Sequence, residues 1–196
     1  MKIISEILFT VSNGLLIPVV LLLLSLLARA IWILAGLYGD VKLHRRVSSV
    51  IKDTVRNYSY ERLQCTLGNL KEMKGCMVTE YLARIMDHKD DHAYCEHELA
   101  DFQVDVQKIL VKYRMLIKFG PMLGLMGTLI PMGPALVGLA VGDISSMAYN
   151  MQVAFATTVI GMLEAGIGLC ALQLNQRFYA GCLNDLEFII AKITDR

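Results

Sequence analysis

Residues 119–142 read FGPMLGLMGTLIPMGPALVGLAVG, and residues 144–176 read ISSMAYNMQVAFATTVIGMLEAGIGLCALQLNQ. The first stretch carries no charged side chain and the second carries only Glu164. The hydrocarbon core of a bilayer is about 30 Å thick and takes about 20 apolar helical residues to cross. Each stretch is therefore long enough to span with some tilt. Only a short link around Gly142, Asp143, Ile144 and Ser145 separates them, so they form an antiparallel hairpin. A third charge-poor run goes from Ile7 to Gly39, broken by Arg29 alone. As one helix it would be roughly 50 Å long at about 1.5 Å per residue, more than a membrane needs. Ser12, Asn13, Gly14 and Pro18 are helix-start signals, which place the span at 14–38 and leave 1–13 as an interfacial segment. The expected fold class is an all-α integral membrane protein. Its transmembrane helices are expected at 14–38, 115–142 and 149–175, with an external turn at 143–148.

The charges are concentrated elsewhere. Hydrophobic residues make up 55% of the 196 and charged residues 19%, with a mean hydropathy of +0.50. Residues 40–114 hold 13 of the 19 Lys and Arg and 12 of the 18 Asp and Glu. This distribution excludes a simple soluble globule and a disordered tail. The net charge of +1 gives no field that would draw a nucleic acid. Lys42, Arg45, Arg46, Lys52 and Arg56 follow the first span, Lys112, Arg114 and Lys118 flank the second, and Arg177 follows the third. The hairpin link has no Lys or Arg, and the N-terminal flank has only Lys2. By the positive-inside rule, the 39–114 insert and the 176–196 segment are cytoplasmic, in a multi-pass protein of the cytoplasmic (inner) membrane. The N-terminus and hairpin link are outside. Lys2 alone is too weak a basic leader for a signal peptide. Cys65, Cys76, Cys95, Cys170 and Cys182 have no paired spacing and read as free thiols on a reducing side.

The insert continues the membrane helices. Val47, Ile51, Val55 and Tyr58 repeat at helical spacing out of the first span, and Leu99, Phe102, Val106, Ile109, Tyr113 and Leu116 run straight into the second. Gly68 and Gly75 mark breaks between shorter helices. The result is a set of long helices reaching into a cytoplasmic helical collar, with a final C-terminal helix at 176–196.

Within the spans, Gly120, Gly124, Gly127, Gly133 and Gly138, with Ala154, Gly161, Ala165 and Gly168, are small residues suited to close helix contact. Two readings stay open: packing inside one chain, or a wall lining another helix or a pore. Thr128, Thr157 and Thr158 lie mid-span, where a hydroxyl either bonds back to its own turn or serves an ion path. Glu164 is the most costly residue to hold in a membrane. Arg29 lies at a similar depth, so an Arg29–Glu164 ion pair is one reading and a role of Glu164 in ion movement is another. Pro121, Pro131 and Pro134 each remove a helical hydrogen bond and are expected to shape or kink the second span.

At 120–132 (GPMLGLMGTLIPM) and 154–162 (AFATTVIGM), the chain resembles the MotA/TolQ/ExbB proton channel family, in a divergent TolQ/ExbB-like form. The match covers roughly 115–180. That family has a proline-led, glycine-spaced GLxGT segment in the second span and an ATAIGL-like segment in the third. The resemblance implies a homopentamer around a single-span partner of the ExbD/TolR/MotB type, whose membrane aspartate binds the ion. It further implies that Thr128 and Thr158 face that aspartate with Thr157 beside them, and that Pro121 opens the second span. Two positions depart from the pattern. The glutamate expected five residues before the third-span threonine is Val153, and the later proline of that span is Ile167.

The function expected is an ion channel subunit, for protons or Na+, in an energy-transducing complex that moves its single-span partner. The alternative is a non-conducting oligomeric scaffold that assembles a partner. Asp87, His88, Asp90, Asp91, His92, Cys95 and His97 form a polar cluster whose His-x3-His spacing suits zinc, but such a run more simply starts a helix. No metal, cofactor or enzymatic activity is expected, and no nucleophile elbow, phosphate loop or HExxH motif occurs. Membrane lipid is the remaining expected partner.

Overall fold

In water-poor surroundings a backbone must satisfy its own hydrogen bonds, which leaves helices as the simplest spanning structure. The computed structural model describes residues 2–56, 77–88 and 91–194. Within them the chain forms α1 (Lys2–Arg56), α2 (Met77–Asp87), α3 (His92–Ala140) and α4 (Ile144–Thr194), with no strand. Three of these helices contain stretches long and apolar enough to cross a membrane: Gly14–Leu37 in α1, and α3 and α4 themselves. The fold is that of an all-α membrane protein.

At the start of the chain α1 runs unbroken through Ser12, Asn13, Gly14 and Pro18, and its apolar stretch is Gly14–Leu37. The breaks expected at Gly68 and Gly75, together with Tyr58, Cys65 and Cys76, lie outside the described residues.

Two compact units divide the chain. The first comprises Met1–Gly36 and Lys112–Leu172. Val19, Leu23 and Ala30 of α1 are buried in it, as are Leu116, Ile130 and Ala135 of α3 and Ala154 and Ala171 of α4. Its outer faces stay apolar: Trp32 is 83% exposed, and Leu125, Leu129, Phe155 and Val159 are exposed too. Those faces suit lipid or other helices, not water.

The second unit comprises Leu37–Val111 and Gln173–Arg196. Val47 and Ile51 of α1, Val78 and Ile85 of α2, Phe102, Val106 and Leu110 of α3, and Leu186 and Ile189 of α4 form its core. Each large aliphatic side chain buried there contributes about 1.5–3 kcal/mol. Most of the expected apolar stripe is inside, but Ile109 is only half-buried and Leu110 takes the inner position. Polar contacts tie α2 to α3. The Tyr81 hydroxyl donates to Asp105 Oδ2 at 2.7 Å and Arg84 pairs with Glu98 at 3.1 Å, while within α3 Lys108 donates to Asp105 Oδ1 at 2.8 Å.

These bonds set a pH response. The Lys108 ammonium, and then the Tyr81 hydroxyl, hold the Asp105 carboxyl below its usual range. A carboxyl lowered by folding stabilises the folded form above its unfolded pKa and ceases to do so as pH falls through the folded value. The protection factors of the α2 amides, which correct for the pH dependence of intrinsic exchange, are therefore expected to fall as pH drops below about 4. Asp105→Asn should exchange faster than wild type at neutral pH and show a flatter acid response. Equal wild-type and variant profiles would show that this contact does not anchor α2.

The helix ends explain the hairpin. The Asp143 N–H donates to the Gly138 carbonyl at 2.8 Å and the Gly142 N–H to the Leu139 carbonyl at 3.2 Å, the two bonds of a Schellman ending. That ending requires a left-handed residue, and Gly142 has φ +77°. Asp143 then caps α4, its Oδ1 accepting the Ser146 N–H at 3.0 Å. At the other end of α3, Asp91 Oδ1 accepts the Tyr94 N–H at 3.1 Å, so the polar cluster there does start a helix. His88 and His92 do not share a helix face: His88 follows α2 and its Nδ1 lies 3.3 Å from the Arg84 carbonyl, whereas His92 opens α3. Asp90 lies outside the described residues.

Candidate functional site: the glycine and threonine seam of the hairpin

The α3–α4 contact in the first unit is built from residues that lack bulk. A side-chain carbon added at Gly120 would sit 2.6 Å from the Gly161 carbonyl oxygen, and one at Gly161 would fall on the Gly120 carbonyl. At Gly124 it would meet the Thr157 carbonyl at 3.2 Å, at Gly127 the Thr157 Oγ1 at 2.6 Å, and at Gly168 the Leu116 Cβ at 2.9 Å. These glycines allow backbone to touch backbone, as lipid-embedded helices need because hydrophobicity does not drive them together. The small-residue stripe is thus an internal seam of one chain.

Both prolines deep in α3 act along this seam. Lacking an N–H, Pro131 leaves the Gly127 carbonyl without its usual helical donor, and Pro134 does the same for Ile130. The helix nevertheless continues through Pro121, Pro131 and Pro134 to Ala140. Pro131 is buried, Pro134 half-buried and Pro121 exposed.

The three threonines differ in environment. Thr157 is only 5% exposed, packs on Gly127 and donates to the Ala154 carbonyl at 2.8 Å. Thr158 is half-buried, and its hydroxyl lies 3.4 Å from the Gly124 carbonyl of α3 and 3.5 Å from the Ala154 carbonyl of its own helix. It thereby bridges the two spans. Thr128 is half-buried and donates to the Leu125 carbonyl at 2.7 Å. A hydroxyl bonded back to its own turn keeps oxygen lone pairs for a further donor or cation.

Glu164 is completely buried, with its Cβ close to the Gly120 position, and neither carboxylate oxygen has a hydrogen-bond partner among the described residues. The expected ion pair with Arg29 is not formed, since Arg29 is exposed. Matching depth set the two at one height but said nothing about rotation. Ala30 is fully buried, and a residue one step earlier in an α-helix points about 100° away from it. Because Glu164 is covered by its own chain, a cation from a neighbouring copy cannot reach it in this arrangement either. An unpaired carboxylate withdrawn from water costs several kcal/mol, and among the described residues no cation pairs with it.

Sequence reasoning named Gly120, Gly124, Gly127, Gly161 and Gly168 among the small residues suited to close helix contact, and all five lie at the α3–α4 contact. Their signal was spacing: Gly120, Gly124 and Gly127 follow the 4,3 pattern of one helix face, as do Gly161 and Gly168 at seven residues.

The fold and site define a polytopic helical membrane protein with a hydroxyl-bearing, glycine-packed hairpin. The chain matches the family model described as the MotA/TolQ/ExbB proton channel family over residues 69–187, more than half its length, and it belongs to that family. No curated protein and no solved structure matches it. The family match reaches beyond the two motif segments at both ends and takes in α2 and the whole of α3. It assigns a proton-channel-type role in a multi-pass membrane protein, within a family that assembles into oligomers with a partner protein.

Proposed function

We propose that this chain is the ion-conducting subunit of an energy-transducing complex of the cytoplasmic membrane. Several copies, five by family resemblance, enclose a single-span partner of the ExbD/TolR/MotB type. That partner's carboxylate gains and loses a proton or Na+ as it passes Thr128 and Thr158. The observation that carries this reading is the half-buried pair of mid-span hydroxyls, Thr128 and Thr158, on a hairpin that matches the channel family. Both retain accessible oxygen, whereas Thr157 and Glu164 sit inside the seam and meet an ion only along it. The N-terminus lies outside and the second unit in the cytoplasm, as the flanking basic residues require. Ion flow then becomes partner movement, for which the apolar outer faces of α3 and α4 provide oligomer contact.

The test is co-expression with a single-span partner, followed by a proton and Na+ flux assay. Thr158→Val keeps the side-chain shape and removes the hydroxyl. Losing one hydrogen bond to a charged group costs about 1.5 kcal/mol, so flux should fall about tenfold while assembly is retained. Unchanged flux in Thr158→Val and Thr128→Val would remove the hydroxyls from the pathway and favour the scaffold reading.

A further inference from the structure

A second feature lies in the second unit. There α1 and α4 leave an open groove of about 410 Å³ between them. Arg45 and Lys52 on α1 and Arg177 on α4 line it, and none of the three is in an ion pair among the described residues. Ser48 adds a hydroxyl, and Val41 and Leu174 supply apolar wall. One wall is held rigid: the His44 ring stacks on Phe178 with centroids 3.7 Å apart and planes within 2°. Three cations lining one groove repel one another unless an anion joins them. Among the described residues the Asp185 carboxyl lies within electrostatic reach of Lys52, with burial raising it and Lys52 opposing that.

We propose that this groove binds the phosphate headgroup of an anionic phospholipid, with the acyl chains lying along Val41 and Leu174. Position favours a lipid over an acidic peptide. The apolar stretch of α1 ends at Leu37, so Val41 and Arg45 follow by about 6 and 12 Å of helix. The headgroup layer extends about 5–8 Å beyond the hydrocarbon on each side. Side chains on a helix tilt toward its N-terminus. Both α1 and α4 leave their apolar stretches in the N-to-C direction, so Arg45 and Arg177 lean back toward the membrane, whereas Lys52, about 22 Å of helix beyond Leu37, lines the end of the groove farther from it. Long basic side chains reach the interface in this way, and basic pockets beside spanning helices suit anionic headgroups.

The test uses the purified full-length protein in detergent, with lipid adducts counted by native mass spectrometry. Phosphatidylglycerol and phosphatidylcholine of identical chains are the probes, and inorganic phosphate is the competitor. Wild type should bind phosphatidylglycerol in preference to phosphatidylcholine. Each basic residue lost from the groove should weaken binding about fivefold, as for basic residues near an anionic surface. Arg45→Gln/Lys52→Gln/Arg177→Gln should therefore lose the preference. Lys42→Gln/Arg46→Gln/Arg114→Gln, with the same charge change at exposed positions outside the groove, should keep it. Asp185→Asn should tighten binding. Equal loss in both triple variants, or no preference in wild type, would overturn the proposal. Displacement of the lipid by inorganic phosphate at similar concentrations would also overturn it, because the groove would then be a free-anion site. Should the groove triple variant fail to fold, the Arg45→Gln and Arg177→Gln single variants carry the same comparison.

Discussion

Gly161→Val is expected to abolish the folded hairpin, and the assembled particle with it. The first carbon of any side chain at this position falls on the Gly120 carbonyl and lies 3.1 Å from the Gly124 Cα. Both obstacles are backbone, so no rotamer change relieves them. Overpacking a close-fitting core typically costs about 1–3 kcal/mol, and more where neighbours cannot move. Here the helices themselves would have to separate, which would also break the Gly124–Thr157 and Gly127–Thr157 contacts on the same seam. Gly166→Val is the matched control, since nothing lies within 4 Å of the added carbon there. The measurement is the yield and thermal stability of the detergent-purified protein. Gly161→Val should be lost or markedly destabilised and Gly166→Val close to wild type. Equal stability of the two would mean that the hairpin is not packed through Gly161.

Glu164→Gln is expected to leave the protein folded and to remove most ion flux. Glutamine has nearly the same shape and fills the same buried position, so packing against Gly120 persists. It has no exchangeable acid proton and no charge with which to hold a cation. An ionisable group deep in a membrane protein is expensive to keep, and such groups are usually tied to ion or substrate movement. The fully buried, unpartnered carboxylate of Glu164 fits that description. Glu164→Leu sharpens the comparison: it removes a buried carboxyl that has no hydrogen-bond partner among the described residues and fills its place with an apolar side chain, so it is expected to stabilise the protein. A more stable Glu164→Leu protein with no flux would identify the residue as functional. Wild-type flux in Glu164→Gln would instead restrict Glu164 to a part of the seam.

The two experiments separate two uses of one helix face. Buried residues on α4 recur as Ala154, Thr157, Gly161, Glu164, Gly168 and Ala171, at steps of three and four. Glycine at 161 and 168 sets how near α3 comes, and the polar members at 157 and 164 occupy the space left. The same closeness that packs the hairpin keeps Thr157 and Glu164 from the outer surface. Thr128 and Thr158, by contrast, are half-buried.

Run length, charge placement and the motif residues at 120–132 and 154–162 were enough to read three spans, the hairpin link and the family. Each is a property along the helix axis, where about 1.5 Å per residue converts sequence position directly into depth. The Arg29–Glu164 pair shows the limit of that reading: depth was matched, but rotation put Ala30 inside and Arg29 outside. Which glycines touch, that Thr157 is sealed while Thr158 bridges two spans, and that Arg45, Lys52 and Arg177 line one groove all depend on how helices rotate against each other. That rotation is settled by side chains packing together from distant parts of the chain, so it became visible only in the tertiary structure.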